Sequence, residues 1–165
     1  MERIRDFFRE YPSQEKVALL LLSHGIRIEG PIAYCGDIAL SDTAIGRAAG
    51  VDRRVVRTTI DKIRESPELM AIYSKLRSIL LLSEVAPEIG CTTLEIIPTD
   101  ASIPGILWDV TAVIFRAGVS VRQAVVDDPG FRNDAHLIVV VDGNLPPEFI
   151  PELKECRGVD RVIIR

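Results

Sequence analysis

A switch of hydrophobic period at residues 99–107 limits what the second half of this chain can become. Residues 92–98, Thr-Thr-Leu-Glu-Ile-Ile-Pro, read as a β-strand. Beyond them apolar side chains fall at Ile103, Ile106, Leu107, Val110, Val113, Ile114 and Ala117, the i, i+3, i+4, i+7 spacing of a helix face. Pro104 suits the first turn, where its missing N–H costs nothing, and Gly105 admits another backbone closely. Gly118 stops the helix, and residues 119–126 read as a second strand. Residues 135–141 form a third strand, Asp142-Gly143-Asn144 a turn, 146–157 a proline-opened helix ended by Gly158, and 160–164 a last strand. The order is βαββαβ, a split βαβ unit of ferredoxin-like type. A strand entering a tight Pro-Gly turn at a helix N-terminus leaves backbone N–H groups that can hold an anion.

Within this pattern, Leu94-Glu95-Ile96 leads to Ser102-Ile103-Pro104-Gly105-Ile106-Leu107, followed by Arg116-Ala117-Gly118-Val119-Ser120-Val121. The stretch resembles an ACT domain, the small-molecule-sensing module of many regulated enzymes and regulators of amino-acid metabolism. The resemblance spans roughly the last 75 residues, an ordinary size for a small domain. Where such families often carry Asp or Asn, this chain has Ser102 and Ser120. The resemblance implies an amino acid or similar metabolite as ligand, held in a site between two subunits. Backbone N–H groups at Ser102, Ile103, Gly105 and Ile106 would face its carboxylate. The Asp100 carboxylate would face its ammonium, and Ser120 would add a hydroxyl from the next strand. No cofactor is implied.

A chain of 165 residues allows one domain or two small ones, and 47% hydrophobic content is ample for a core. No stretch approaches the ~18 apolar residues of a membrane span. The runs at 19–22 and 79–82 have core length, and the charged, amphipathic start does not read as a signal peptide. Cys35, Cys91 and Cys156 are scattered and lack CxxC spacing, as expected of free thiols in a reducing cytoplasm. The net charge of −4 hides an asymmetry.

Toward the N-terminus, Ile4, Phe7, Phe8 and Tyr11 lie at helical spacing, Pro12 breaks the helix, and Ser13 caps a second one over 14–24. His24, with no second ligand near it, reads as a surface or capping histidine rather than a metal ligand. Residues 26–35 read as a small hairpin around Glu29-Gly30-Pro31, with 36–40 as a further strand. In 41–63, Ser41 or Asp42 caps one short helix, Gly50 makes the turn and Asp52 caps the next helix. The segment resembles a helix-turn-helix, of the winged type given the strand before it.

On the second helix Val56, Thr59, Ile60 and Ile63 group as a core face, whereas Arg54, Arg57, Thr58 and Asp61 point away. Arg53 and Arg64 lie on one flank and Lys62 on the other. Residues 47–64 hold six basic side chains against two acidic, but 91–165 hold seven against eleven. Basic groups crowding a second helix suit phosphate positioning and guanine reading in double-stranded DNA. The expected contacts are Arg53, Arg54, Arg57, Thr58 and Lys62. A solvated charged helix face is the plainer alternative.

Ser66 and Pro67 open a connecting helix over 69–73, extending toward 82, and 86–90 close the junction. The expected division is a helix-turn-helix domain at 1–66, a connector at 67–90 and an ACT-like domain at 91–165. No Gly/Ser tract separates the halves, which argues for stiff coupling. Trp108, Ala112 and Phe115 form a second apolar stripe opposite the core stripe of their helix, and residues 137–141 are apolar at both parities. Both faces ask for cover, so a homodimer or higher homo-oligomer is expected.

The sequence contains no GxSxG, P-loop, HExxH or Cys–His pair. His136, near Asp134 after the 127–133 loop, reads as structural, and Asp100, Asp127 and Asp128 as turn formers. No enzyme is expected. The whole chain resembles archaeal-type predicted regulators of amino-acid metabolism: a cytoplasmic, ligand-responsive transcriptional regulator without a membrane partner. A dimer that controls an enzyme by protein contact, without binding DNA, is the other reading. A purely structural dimer with an empty sensor and a small enzyme also remain open.

Overall fold

The computed structural model describes residues 2–127 and 135–165, so Asp128 and Asp134 lie outside the described residues. The chain divides into two compact units, Met1–Leu80 and Leu81–Arg165.

The first unit begins with α1 (Glu2–Phe8) and α2 (Pro12–Ser23). Pro12 does not merely end the first helix. It opens the second from its first turn, with Tyr11 rather than Ser13 at the cap, because proline's missing N–H is one that no helix start can pair. Strands β1 (Arg27–Glu29), β2 (Ile32–Cys35) and β3 (Ile38–Leu40) form an antiparallel sheet in that order. Helix α3 (Asp42–Ala49) follows, its start capped by the Ser41 hydroxyl, which accepts the Ala44 N–H at 3.2 Å. Helix α4 (Arg53–Glu65) starts where Asp52 accepts the Arg54 N–H at 2.8 Å. Helix α5 (Pro67–Tyr73) starts where Ser66 accepts the Leu69 N–H at 3.3 Å.

Phe8, Val17, Leu21, Val56, Ile60, Ile63 and Tyr73 make the fully buried centre of this unit. The Tyr73 hydroxyl donates to the Ala18 carbonyl at 2.9 Å, so the buried phenol is satisfied. Helix α5 does not continue toward 82 as expected. It ends at Tyr73, where the Ser74 hydroxyl turns back onto the Met70 carbonyl at 2.6 Å and competes with the helix. Residues 74–86 then contain neither helix nor strand.

The second unit contains β4 (Cys91–Pro98), α6 (Ile106–Arg116), β5 (Val121–Val126), β6 (Leu137–Asp142), α7 (Ile150–Glu155) and β7 (Val159–Ile164). The sheet order is β5-β6-β4-β7 and all neighbours are antiparallel. The order is therefore βαββαβ with two βαβ units interleaved, the third strand lying beside both the first and the second. Leu94 and Ile96 of β4, Val139 and Val141 of β6, Val110 and Ile114 of α6 and Leu153 of α7 form one core. On the other face of β6, Val140 packs with Ala86 and Cys91.

Helix α6 starts at Ile106, so Pro104 belongs to the turn before it rather than to its first turn. The second helix of this unit is also shorter than its proline-rich sequence suggests, with a 3-10 turn at Pro147–Phe149 preceding α7. Among the described residues no helix is long and apolar enough to cross a membrane. Nor do three His, Cys, Asp or Glu side chains gather there to hold a metal ion.

Candidate nucleic-acid interface and ligand cleft

Two places concentrate the residues singled out by sequence, one in each unit. On α4 the inner face is the one expected: Val56, Thr59, Ile60 and Ile63 are buried. The Thr59 hydroxyl donates to the Val55 carbonyl at 2.7 Å, which lets a polar residue sit in the core. Arg53, Arg54 and Thr58 are exposed on the outer side. The Arg54 side chain leaves the first turn of α4, where the Asp52 carboxylate accepts the Arg54 N–H.

Arg57 and Lys62 are placed differently. Arg57 is exposed like Arg54 but tethered: its guanidinium lies 2.7 Å from the Asp42 carboxylate of α3 and donates to the Pro31 carbonyl at 2.7 Å. One side chain thus ties α4 to α3 and to the β1–β2 turn. Lys62 Nζ lies over the Tyr11 ring, 3.1 Å from its centre, a cation–π contact. Asp61, the acidic group on the outer side, is paired with Arg64 at 3.2 Å.

Gly46, which the sequence reading passed over, governs the α3–α4 corner. A Cβ there would lie 2.8 Å from the Val51 carbonyl oxygen and 3.4 Å from the Arg53 nitrogen. The two helices close through the Val51 N–H, which donates to the Gly46 carbonyl at 2.9 Å. A small residue four positions before the turn glycine was the available signal.

In the second unit the strand-to-helix corner has a definite geometry. The Asp100 carboxylate accepts the Ser102 N–H at 2.8 Å and the Ser102 hydroxyl at 2.6 Å. Those two bonds hold its carboxyl below the usual carboxylate range. The Ile103 N–H donates to the Asp100 carbonyl at 3.2 Å. Ser102 and Ile103 therefore use their N–H groups within the turn, and Pro104 has none. Gly105 sits at φ 97° as the helix cap, and no side chain caps this end of α6. The backbone donors facing outward are thus those of Gly105 and the first turn of α6, fewer than the run expected from sequence.

Beside this corner lies a cleft of about 150 Å³ whose walls include Ile103, Gly105, Ile106, Leu107, Val126 and Leu137. It is mostly apolar, with Asp127 and His136 also in its lining. These two are bonded to each other through the backbone, the Asp127 N–H donating to the His136 carbonyl at 2.9 Å. The imidazole Nδ1 of His136 lies 2.9 Å from the Glu95 carboxylate. Val126 and Leu137 could have been found from sequence only through their pairing across β5 and β6.

Ser120 does not join the corner within one chain. It precedes β5, and its carbonyl accepts the Asp142 N–H at 2.8 Å, whereas the corner follows the end of β4, where Val126 and Leu137 line the cleft. A βαβ crossover returns the chain to the starting end of the sheet. The six residues of β5 separate the two by roughly 17–20 Å at strand rise.

No family model and no curated protein matches the sequence. Among solved structures the chain is similar to an AsnC family transcriptional regulator from Agrobacterium tumefaciens. The identity is 15% and the TM-score 0.30, over 93% of this chain and 86% of that one. It is also similar to the leucine response regulatory protein of Mycobacterium tuberculosis, at 13% identity and TM-score 0.29, over 93% and 90%. AsnC of E. coli gives 10% identity and TM-score 0.26, over 93% and 89%.

Proposed function

We propose that this chain is a transcriptional regulator that senses a small metabolite, an amino acid above all, and binds double-stranded DNA. In this reading residues 1–66 form a winged helix-turn-helix reader, 67–90 a connector and 91–165 a ferredoxin-like, ACT-type sensor. The carrying observation is the division of α4: four residues face the core, and Arg53, Arg54 and Thr58 face solvent beyond a helix N-terminus. Such a face reaches phosphates and base edges in a major groove. Arg57, exposed but tied to Asp42 and the Pro31 carbonyl, and Lys62 on the Tyr11 ring fix where α4 lies.

For the sensor, the Gly105 and Ile106 N–H groups offer a place for the ligand carboxylate, Asp100 an anionic edge for its ammonium, and the apolar cleft a seat for its side chain. Binding would shift the equilibrium between arrangements of paired subunits, for which a coupling of about 1–3 kcal/mol suffices.

Fluorescence anisotropy of the full chain with labelled duplex DNA, across a salt series, tests the reader. Affinity should fall linearly with salt on logarithmic axes, and Arg53→Ala with Arg54→Ala should flatten that slope. Absence of binding at low salt would favour the enzyme-controlling dimer instead. Calorimetry with each of the twenty amino acids tests the sensor separately.

A further inference from the structure

Helix α6 carries an outward stripe that lines neither the cleft nor the core of its own unit. Trp108 is 75% exposed and Phe115 is 82% exposed, more than any other aromatic side chain among the described residues. The half-buried Ala112 sits between them in the same row, at the i, i+4, i+7 spacing of a helix–helix seam. Along one flank of that row stand Asp109 and Arg116, with Arg157 of the α7–β7 turn 3.5 Å from Asp109 and Glu152 of α7 2.5 Å from Arg116.

We infer that this stripe binds the same stripe of a second copy of this chain, the two α6 helices running antiparallel about a two-fold axis near Ala112. The stripe is self-complementary. Trp108 and Phe115 stand four and three residues from Ala112, and Asp109 and Arg116 stand three and four. A two-fold axis near Ala112 therefore brings Trp108 level with Phe115 of the second copy to within one residue's rise of ~1.5 Å, and Asp109 likewise with Arg116 of the second copy, twice over. The small Ala112 at the crossing lets the helices approach closely, and the aromatic pairs fill the space to either side. In an antiparallel seam the same flanks meet, so opposite charges face each other at both ends. In a parallel seam Asp109 and Arg116 would instead face the Leu107–Thr111 flank, which offers no charge. The existing pairs with Arg157 and Glu152 would extend into a row of alternating charges rather than break. Such charges select the orientation more than they add affinity.

The inference does not depend on DNA binding or on the metabolite. The full chain carries a single tryptophan, so Trp108 emission reports the stripe directly. Sedimentation and emission spectra are recorded together across a concentration series. Association should be accompanied by a blue shift, and Trp108→Glu should weaken it at least ~30-fold, the scale of an interface hot spot. Asp109→Arg and Arg116→Glu should each weaken self-association, since each sets like charges together. An equimolar mixture of the two variants should restore it, because the mixed pair is complementary at both ends. A chain that stays monomeric at tens of micromolar overturns the inference. So does a dimer whose tryptophan emission remains that of an exposed indole, or one that the two variants form unchanged.

Discussion

Arg54 and Arg57 are three positions apart on one helix, yet they have different surroundings. Both are exposed, but Arg57 also joins α4 to Asp42 and to the Pro31 carbonyl. Arg54→Ala should weaken DNA binding severalfold and lower the salt slope by about 1 while leaving the unfolding midpoint unchanged. Arg57→Ala should weaken binding and also destabilise the first unit, by up to ~1 kcal/mol because the pair is partly exposed. Urea unfolding of the two variants separates these outcomes. Tyr73 makes a second prediction. Burial raises its hydroxyl well above the ordinary value of 10.0. The unfolded chain therefore ionises this group first, and stability should hold below pH 10 and decline above it. Tyr73→Phe should remove that part of the alkaline decline. At neutral pH it should cost ~1 kcal/mol for the lost bond to Ala18, read from unfolding curves at several pH values.

At the scale of elements, two glycines act by different means. Gly46→Ala would force a methyl group against the Val51 carbonyl oxygen at the α3–α4 corner, and ~1–3 kcal/mol of destabilisation is expected. Gly105→Ala meets nothing within 4 Å, so its cost is conformational, from a φ of 97°, and should be ~1–2 kcal/mol. Thermal unfolding checks both. If the corner holds the metabolite, Gly105→Ala should also reduce the calorimetric heat, whereas Gly46→Ala should not. The helix faces were legible from sequence because burial has a period: Val56, Thr59, Ile60 and Ile63 are one side of a helix in any fold. The caps at Asp52 and Ser66 were legible, and that at Ser41 down to a choice with Asp42, because a short polar side chain before a periodic run readily accepts a first-turn N–H; at Ser13 the same signal misled, because Pro12 had already opened α2. The start of α6 was not. Ile103 matches the helix period, but Asp100 draws the Ser102 and Ile103 N–H groups into a turn first, and the period alone cannot weigh that competition.

For the whole molecule, each unit has its own buried cluster, one around Phe8, Ile60 and Tyr73 and the other around Leu94, Val139 and Leu153. Residues 74–86 lack helix and strand, so limited proteolysis should cut there first and release two fragments that each unfold cooperatively, seen by calorimetry. A single nick elsewhere, or fragments without a transition, would argue against separate domains. The order of strands and helices, the inner face of α4 and the exposure of Trp108 and Phe115 were determined by sequence alone. They depend on hydrophobic period and on turn residues, which act over a few positions. Only the tertiary structure decided that Arg57 is tied to Asp42 and Lys62 to Tyr11, that Val126 and Leu137 line the cleft, and that Ser120 lies at the far end of the sheet from Gly105. Those facts depend on which strands pair and where a crossover returns the chain. Contacts between residues far apart in sequence set both, and no local pattern encodes them.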